Sequence, residues 1–135
     1  MTGLVVCVAV LAAASVFGLM QRRRSGRMKV RQGEAALGVA KLGEELGERA
    51  TLVQFSSAFC APCRATRRVL GEVAEMVPGV AHVEIDAEDR LDLVRELGVL
   101  KTPTVLVLDA AGHIVRRASG QPRKADVIAA LGEAV

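Results

Sequence analysis

The stretch FSSAFCAPCRATRRVL, residues 55–70, carries two cysteines three positions apart, Cys60 and Cys63. The run TLVQF at residues 51–55 is rich in residues that favour strands, and it predicts a short buried strand. After Cys60, apolar residues recur at helical spacing and charged residues fill the positions between them, which predicts an amphipathic helix. The sequence therefore predicts a strand that turns directly into a helix, with Cys60 at the helix start.

The C-x-x-C spacing is compatible with a zinc half-site, a structural disulfide or a redox pair. A structural zinc ion needs four ligands, and the two histidines, His82 and His113, each stand alone on a predicted strand. A structural disulfide at this spacing would close a very small loop and constrain the unfolded chain little. At a helix start, unpaired backbone N–H groups and the helix dipole favour a thiolate, so we interpret the cysteines as a redox pair.

The two cysteines have different predicted roles. Cys60, at the start of the helix, is the candidate nucleophile. Cys63 lies one turn further on, within reach of a mixed disulfide formed at Cys60, and is the candidate resolving thiol. Pro62 fits the first turn of the helix, where its missing N–H costs no hydrogen bond. Arg64 follows the pair directly and is a candidate to support the thiolate.

Helical and strand patterns alternate along the chain from residue 34 onward. Their order, α-β-α-β-α-β-β-α, predicts an α/β fold in which a mixed β-sheet has helices on both faces. Besides the helix that begins at Cys60, the predicted helices cover residues 34–48, 90–97 and 124–134, and the predicted strands cover residues 51–55, 80–86, 104–108 and 113–118.

Residues 2–20 form an uncharged, mostly apolar run, which is long enough as a helix to cross the roughly 30 Å hydrocarbon layer of a bilayer. Almost no charge precedes the run, which argues against a cleavable signal peptide. A helix that is apolar on every face would find no cover in so small a domain, which argues against a buried core helix. We therefore predict a transmembrane helix at residues 2–20, a basic juxtamembrane linker at residues 21–33 and one domain at residues 34–135. The third cysteine, Cys7, lies inside the span and is interpreted as a small apolar side chain.

The charges are sorted along the chain. Six arginines and lysines and no acids lie at residues 22–31, whereas residues 32–135 carry 12 basic and 15 acidic side chains. Because positive charge beside a membrane helix stays on the cytoplasmic side, the domain of this single-pass protein is predicted to be cytoplasmic. The domain itself is mildly acidic and poor in aromatic residues, which argues against nucleic acid as a partner.

Three separated segments carry a resemblance to a known family: residues 55–70, VEIDAED at residues 83–89, and GVLKTPTVLVLDAAGHIV at residues 98–115. In this order and at these separations they resemble the active-site segment, the third strand and the cis-proline hairpin of the thioredoxin family. The resemblance covers about residues 34–135. It implies a cis peptide bond between Thr102 and Pro103 that faces the cysteines, where the backbone of Thr102 pairs with an extended substrate.

Several residues depart from the pattern of the thioredoxin family. Phe59 stands where the family usually has tryptophan, and Ala61 replaces the usual glycine between the cysteines; both belong to the expected substrate-docking surface. Gln54 stands where the family usually has a buried aspartate, and His82 falls where its lysine partner often lies. Either His82 takes over the proton transfer of the missing acid, or Gln54 and His82 form a hydrogen-bonded polar pair.

Together these features predict a membrane-anchored thiol–disulfide oxidoreductase that reduces protein disulfides through Cys60 and Cys63. Its expected partners are protein disulfide substrates, an unidentified electron donor and the membrane itself, and it needs neither a cofactor nor a metal ion. One alternative is an extracytoplasmic thiol oxidase or isomerase, or a thioredoxin of cytochrome maturation. Another is a non-catalytic, redox-sensing interaction module.

Overall fold

The computed structural model describes residues 1–24, 29–30 and 42–135 of the chain. The N-terminal part holds helix α1 (Thr2–Arg24) and strand β1 (Lys29–Val30). The elements that follow are, in chain order, β2 (Ala50–Ser56), α2 (Ala61–Met76), β3 (Val80–Asp86), α3 (Leu91–Leu97), β4 (Thr104–Asp109), β5 (Ile114–Ser119) and α4 (Lys124–Ala134).

The described strands form one mixed sheet in the order β1-β5-β4-β2-β3. Strands β2 and β3 are parallel, because α2 carries the chain back to the start of the sheet between them. The other neighbouring strands are antiparallel. Every residue of β2 is buried, and Gln54 lies opposite Glu84 of β3 on one side and Val105 of β4 on the other. The strand that leads to the cysteines is thus held between two neighbours.

Apolar side chains pack on both faces of the sheet. One layer includes Phe55 of β2 and Leu93 of α3. The other includes Leu52 of β2, Leu70 of α2 and Val127 of α4. Because successive side chains of a strand point to opposite faces, Gln54 lies on the same face as Leu52, beneath α2. This alternation places a polar side chain under the helix that carries the cysteines.

The predicted α/β architecture is confirmed, with helices on both faces of a mixed sheet. The strand at residues 80–86 and the helix at residues 124–134 have the predicted bounds, and the other described elements of the domain differ by one or two residues at an end. Helix α1 contains the predicted span at residues 2–20 and continues to Arg24. Strand β1, which pairs with Arg116 and Arg117 of β5, lies inside the segment predicted as a linker.

The predicted helix at residues 34–48 is wrong in its second half. Residues 34–41 lie outside the described part of the chain, whereas residues 43–49 form a loop. Gly43 has a φ of +74°, which is left-handed backbone that interrupts a helix. A Cβ atom on Gly47 would lie 2.1 Å from the carbonyl oxygen of Ala50 and 2.7 Å from the backbone nitrogen of Ala81. The loop passes so close to the neighbouring backbone here that only glycine fits at position 47.

Candidate active site

Cys60 and Cys63 lie at the junction between β2 and α2. Cys60 is the N-cap of α2 in extended backbone, and its Sγ accepts a hydrogen bond of 3.2 Å from the backbone N–H of Cys63. Pro62 occupies the first turn, as predicted. The two sulfur atoms are bonded to each other as a disulfide. Cys63 is only 1% exposed, whereas Cys60 is partly exposed, so an incoming molecule meets Cys60 first.

The start of α2 places positive charge around Cys60. The N–H groups of the first turn point at the cap position, and the helix dipole adds to their effect. Arg64 is exposed and lines the same shallow recess as Phe59 and Cys60. Arg67 also lines this recess and forms a bidentate ion pair with Glu84 of β3, in which its Nε and Nη2 atoms donate to the two carboxylate oxygens at 2.6 and 2.8 Å. The hydrogen bond and the charge of Glu84 raise the pKa of Arg67.

The Thr102–Pro103 peptide bond is cis, as the resemblance implied. Pro103 is buried, and Thr102 is half-buried beside the cysteines. The Oγ1 of Thr102 donates to the Sγ of Cys60 over 3.7 Å and lies 2.8 Å from the Oγ of Ser57. Sequence reasoning did not single out Ser57, because its contact lies 45 positions further along the chain. The loop before β4 therefore brings the hydroxyl of Thr102 to Cys60, where it meets the hydroxyl of Ser57 from the turn between β2 and α2.

Gln54 and His82 form a polar pair beneath the cysteines. The fully buried amide of Gln54 donates to the carbonyl oxygen of Cys63 at 2.8 Å and to the Oγ of Ser56 at 2.9 Å. Its oxygen therefore remains as the acceptor for the Nε2–H of His82, 3.2 Å away. Burial lowers the pKa of His82, while the nearby charge of Glu84 raises it to a smaller degree. The amide contacts the backbone of Cys63, and through it the pair holds the first turn of α2.

Phe59 differs from every other described non-glycine residue in its backbone, which has a φ of +59°. Its side chain is fully exposed to solvent immediately before Cys60. Ala61 and Pro62 are also exposed, so the residues around Cys60 present a small apolar surface. Within the described part of the chain, no three His, Cys, Asp or Glu side chains lie together as a metal site would require.

The family model of thioredoxin matches residues 39–133, which is more than half of the chain. The chain belongs to the thioredoxin family. Its Cys60–Cys63 pair occupies the active-site position of the thioredoxin fold. The three segments that carry the resemblance all lie within the matched residues.

Individual thioredoxins match over parts of the chain. The thioredoxin of Alicyclobacillus acidocaldarius subsp. acidocaldarius is 30% identical over 88 residues, which are 64% of this chain and 83% of that protein. Thioredoxin domain-containing protein 2 of Homo sapiens is 34% identical over 61 residues, or 45% of this chain and 11% of that protein. A thioredoxin H-type of Fagopyrum esculentum is 28% identical over 65 residues, or 48% of this chain and 56% of that protein. The chain thus spans only about half of the length of the Fagopyrum protein and a small part of the human protein.

Solved structures show the same fold. The N21Q mutant thioredoxin from Halobacterium salinarum superposes with a TM-score of 0.59 at 22% identity, covering 64% of this chain and 75% of that chain. Thioredoxin NaTrxh from Nicotiana alata gives a TM-score of 0.57 at 26% identity, covering 64% of this chain and 74% of that chain. The matched part of this chain therefore has the thioredoxin fold.

Proposed function

We propose that this protein is a thiol–disulfide oxidoreductase that reduces protein disulfides through Cys60 and Cys63. One observation carries the proposal: a partly exposed cysteine at the start of α2 is bonded to a buried cysteine one turn further along. A sulfur at a helix start is readily held as a thiolate, and the thiolate is the reactive form of cysteine. The buried partner is protected from competing reagents and lies within bonding distance.

In the reduced protein, the Cys60 thiolate attacks one sulfur of a substrate disulfide. A bond forms between Cys60 and that sulfur, and the second substrate sulfur leaves as a thiolate that takes a proton from water. Cys63 then passes its proton to water and attacks the Cys60 sulfur, so that the Cys60–Cys63 bond forms and the first substrate sulfur leaves as a thiolate, which takes a proton from water. Two electrons pass from the cysteine pair to the substrate, and an electron donor of unidentified nature must restore the pair.

The neighbouring residues have supporting roles in this proposal. Phe59, Ala61 and Thr102 form the surface on which an extended substrate segment docks, and the buried Pro103 supports Thr102 from beneath. Exposed aromatic and small apolar side chains suit a partner that is bound briefly and released. Arg64 supports the thiolate from the recess beside it.

Two roles were expected for Gln54 and His82, namely proton transfer by His82 or a hydrogen-bonded polar pair. In this proposal they act as the polar pair. The hydrogen bond from Gln54 to the Cys63 carbonyl oxygen supports this role, because it reaches the backbone of Cys63 and keeps the buried cysteine in register with Cys60.

Attachment to a membrane through residues 2–20 is a further part of the proposal. Helix α1 is long and apolar enough to cross a bilayer, by length and composition, and none of its residues is buried. In the proposed arrangement the basic segment at residues 21–33 and the domain at residues 34–135 lie in the cytoplasm, a compartment that keeps thiols reduced. We expect the chain to stay in the membrane during alkaline carbonate extraction, and protease to digest the domain only in inside-out vesicles. Release by carbonate would contradict the anchor, and digestion in right-side-out vesicles would contradict the orientation.

The experiment that tests the proposed function is a measurement of turnover and reduction potential on the full chain in detergent, with Cys7 replaced by alanine. We expect catalytic reduction of a model protein disulfide and a potential near the roughly −270 mV of thioredoxins. A potential above about −180 mV, in the range of isomerases and oxidants, would instead favour an extracytoplasmic oxidase, an isomerase or a cytochrome-maturation protein. A redox-sensing interaction module would cycle between the two states without turnover.

A further inference from the structure

Two hydroxyl groups and a sulfur atom lie in a row at the active site. The Oγ of Ser57, in the turn between β2 and α2, is 2.8 Å from the Oγ1 of Thr102, in the loop before β4. The same Oγ1 is 3.7 Å from the Sγ of Cys60, which is within the reach of a hydrogen bond to sulfur. All three residues are half-buried, so water screens these contacts less than it would on an open surface.

The number of hydroxyl protons determines which group donates in each hydrogen bond of this row. Each hydroxyl group has one proton to donate. If Thr102 donated its proton to Ser57, none would remain for the sulfur. Thr102 therefore donates to Cys60 only when Ser57 donates to Thr102, and a negative charge on the sulfur favours this direction.

We propose that Ser57 is a positioning residue, which directs the hydroxyl of Thr102 at the sulfur of Cys60 and so stabilises the Cys60 thiolate. The inference rests on the proposed role of Cys60 as the nucleophile. The sulfur then has two donors, the backbone N–H of Cys63 at 3.2 Å and the hydroxyl of Thr102. The N–H of Cys63 belongs to the backbone and is present whatever the side chains are. The hydrogen bond from Thr102 to Cys60 depends on side chains, and its strength depends on Ser57.

Other charged groups near Cys60 act on the thiolate independently of this row. Arg64 and Arg67 of α2 line the recess beside the sulfur, and Glu84 of β3 pairs with Arg67. Lys101 precedes Thr102 in its loop and is exposed, while His82 connects to the cysteines through Gln54. These side chains stay in place in the variants that test the proposal, so their influence cancels in the comparison.

The test is the pH dependence of Cys60 alkylation in the reduced full chain, in detergent and with Cys7 replaced by alanine. Iodoacetamide reacts with the thiolate, which displaces iodide, and mass spectrometry of the digested protein assigns the product to Cys60. We expect Ser57→Ala to move the midpoint of the pH profile upward and to slow alkylation at pH 7 about fivefold, as the weakening of one hydrogen bond to a charged group predicts. Thr102→Val, which removes the hydroxyl at nearly constant volume, should give at least the same shift.

A double-variant comparison separates positioning from a merely structural role. If Ser57 acts through Thr102, adding Ser57→Ala to Thr102→Val shifts the midpoint no further, and Ser57→Thr, which keeps a hydroxyl group, retains the original midpoint. An unchanged midpoint in Ser57→Ala, or additive shifts in the double variant, would overturn the proposal. No disulfide substrate is present in this measurement, so a protein that shows the shift but does not reduce disulfides would refute the proposed function alone.

Discussion

Replacing Cys63 with serine will trap the protein in covalent complexes with its disulfide substrates and abolish turnover. In the proposed reaction, Cys60 forms a mixed disulfide that only a second thiol can resolve, and Cys63 is the thiol already at bonding distance. A neighbouring group in the correct geometry acts at an effective concentration of about 10⁵ M or more, far above any millimolar free thiol. Turnover should therefore fall by roughly a thousandfold or more when release depends on free thiol.

The matched control is Cys60→Ser, which removes the accessible sulfur and leaves the buried one. It should be equally inactive, yet it should form no complexes, because Cys63 is only 1% exposed and cannot meet a protein substrate. Both variants are compared in the full chain with Cys7 replaced by alanine, so that a covalent adduct is assigned to one sulfur. Non-reducing electrophoresis of the protein mixed with an oxidised model substrate shows the complexes. Equal trapping by both variants, or turnover that survives in Cys63→Ser, would contradict the assigned order of attack.

The elements around the cysteines were predictable because local sequence determines them. The run at residues 51–55 has a strand pattern, Cys60 has a cap position before a helical pattern, and the helix at residues 124–134 has apolar residues at regular spacing. The cis bond before Pro103 was implied by the resemblance to the thioredoxin family, which the C-x-x-C pair and the GVLKTPT segment carry together. Patterns of this kind predict the elements that carry the site residues.

Contacts between distant residues left no such local signal. Strand β1 consists of two residues, and its existence depends on backbone pairing with Arg116 and Arg117, which are more than 80 positions away. Ser57 lies in the FSSAFC segment as one of two adjacent serines, and nothing nearby indicates that it meets the hydroxyl of Thr102. Once the fold is known, the contact can be predicted from two features: Ser57 is in the turn before Cys60, and Thr102 precedes the cis proline that faces it.

The segment HIVRRA at residues 113–118 illustrates the same limit, because its two neighbouring arginines, Arg116 and Arg117, lie on opposite faces of the sheet. Arg116 forms an ion pair with Glu133 of α4, with contacts of 2.5 and 2.6 Å, on the face of the sheet that α4 covers. Arg117 points to the other face of the sheet, is only 8% exposed and donates to the carbonyl oxygens of Leu97 and Gly98. The sequence predicts the strand at residues 113–118 but does not say which face of the sheet is covered at each arginine, and the structure places Arg117 in the core.

We expect Arg117→Met to lower the free energy of unfolding by about 2–4 kcal/mol, the usual cost when buried acceptors lose a charged donor. The carbonyl groups of Leu97 and Gly98 are at the C-terminal end of α3, where a helix leaves carbonyls without partners inside it. The guanidinium group of Arg117 satisfies both and places positive charge at the negative end of the helix dipole. Methionine fills a similar volume and supplies no donor, so the loss measures the hydrogen bonds more than the packing.

Arg116→Met is the matched control, because it makes the same change at the next position of the same strand. Its ion pair with Glu133 lies nearer the surface, and the loss should stay below about 1 kcal/mol. The chain contains no Trp or Tyr, so urea unfolding of the full protein in detergent is best followed by far-UV circular dichroism. The free energies of unfolding of the two variants are compared only if their m-values are equal. Hydrogen exchange should also quicken in α3 for Arg117→Met alone, since the lost bonds end that helix. Equal destabilisation by both changes, with no local effect on α3, would mean that Arg117 stabilises the fold through its general burial and not by closing the end of α3.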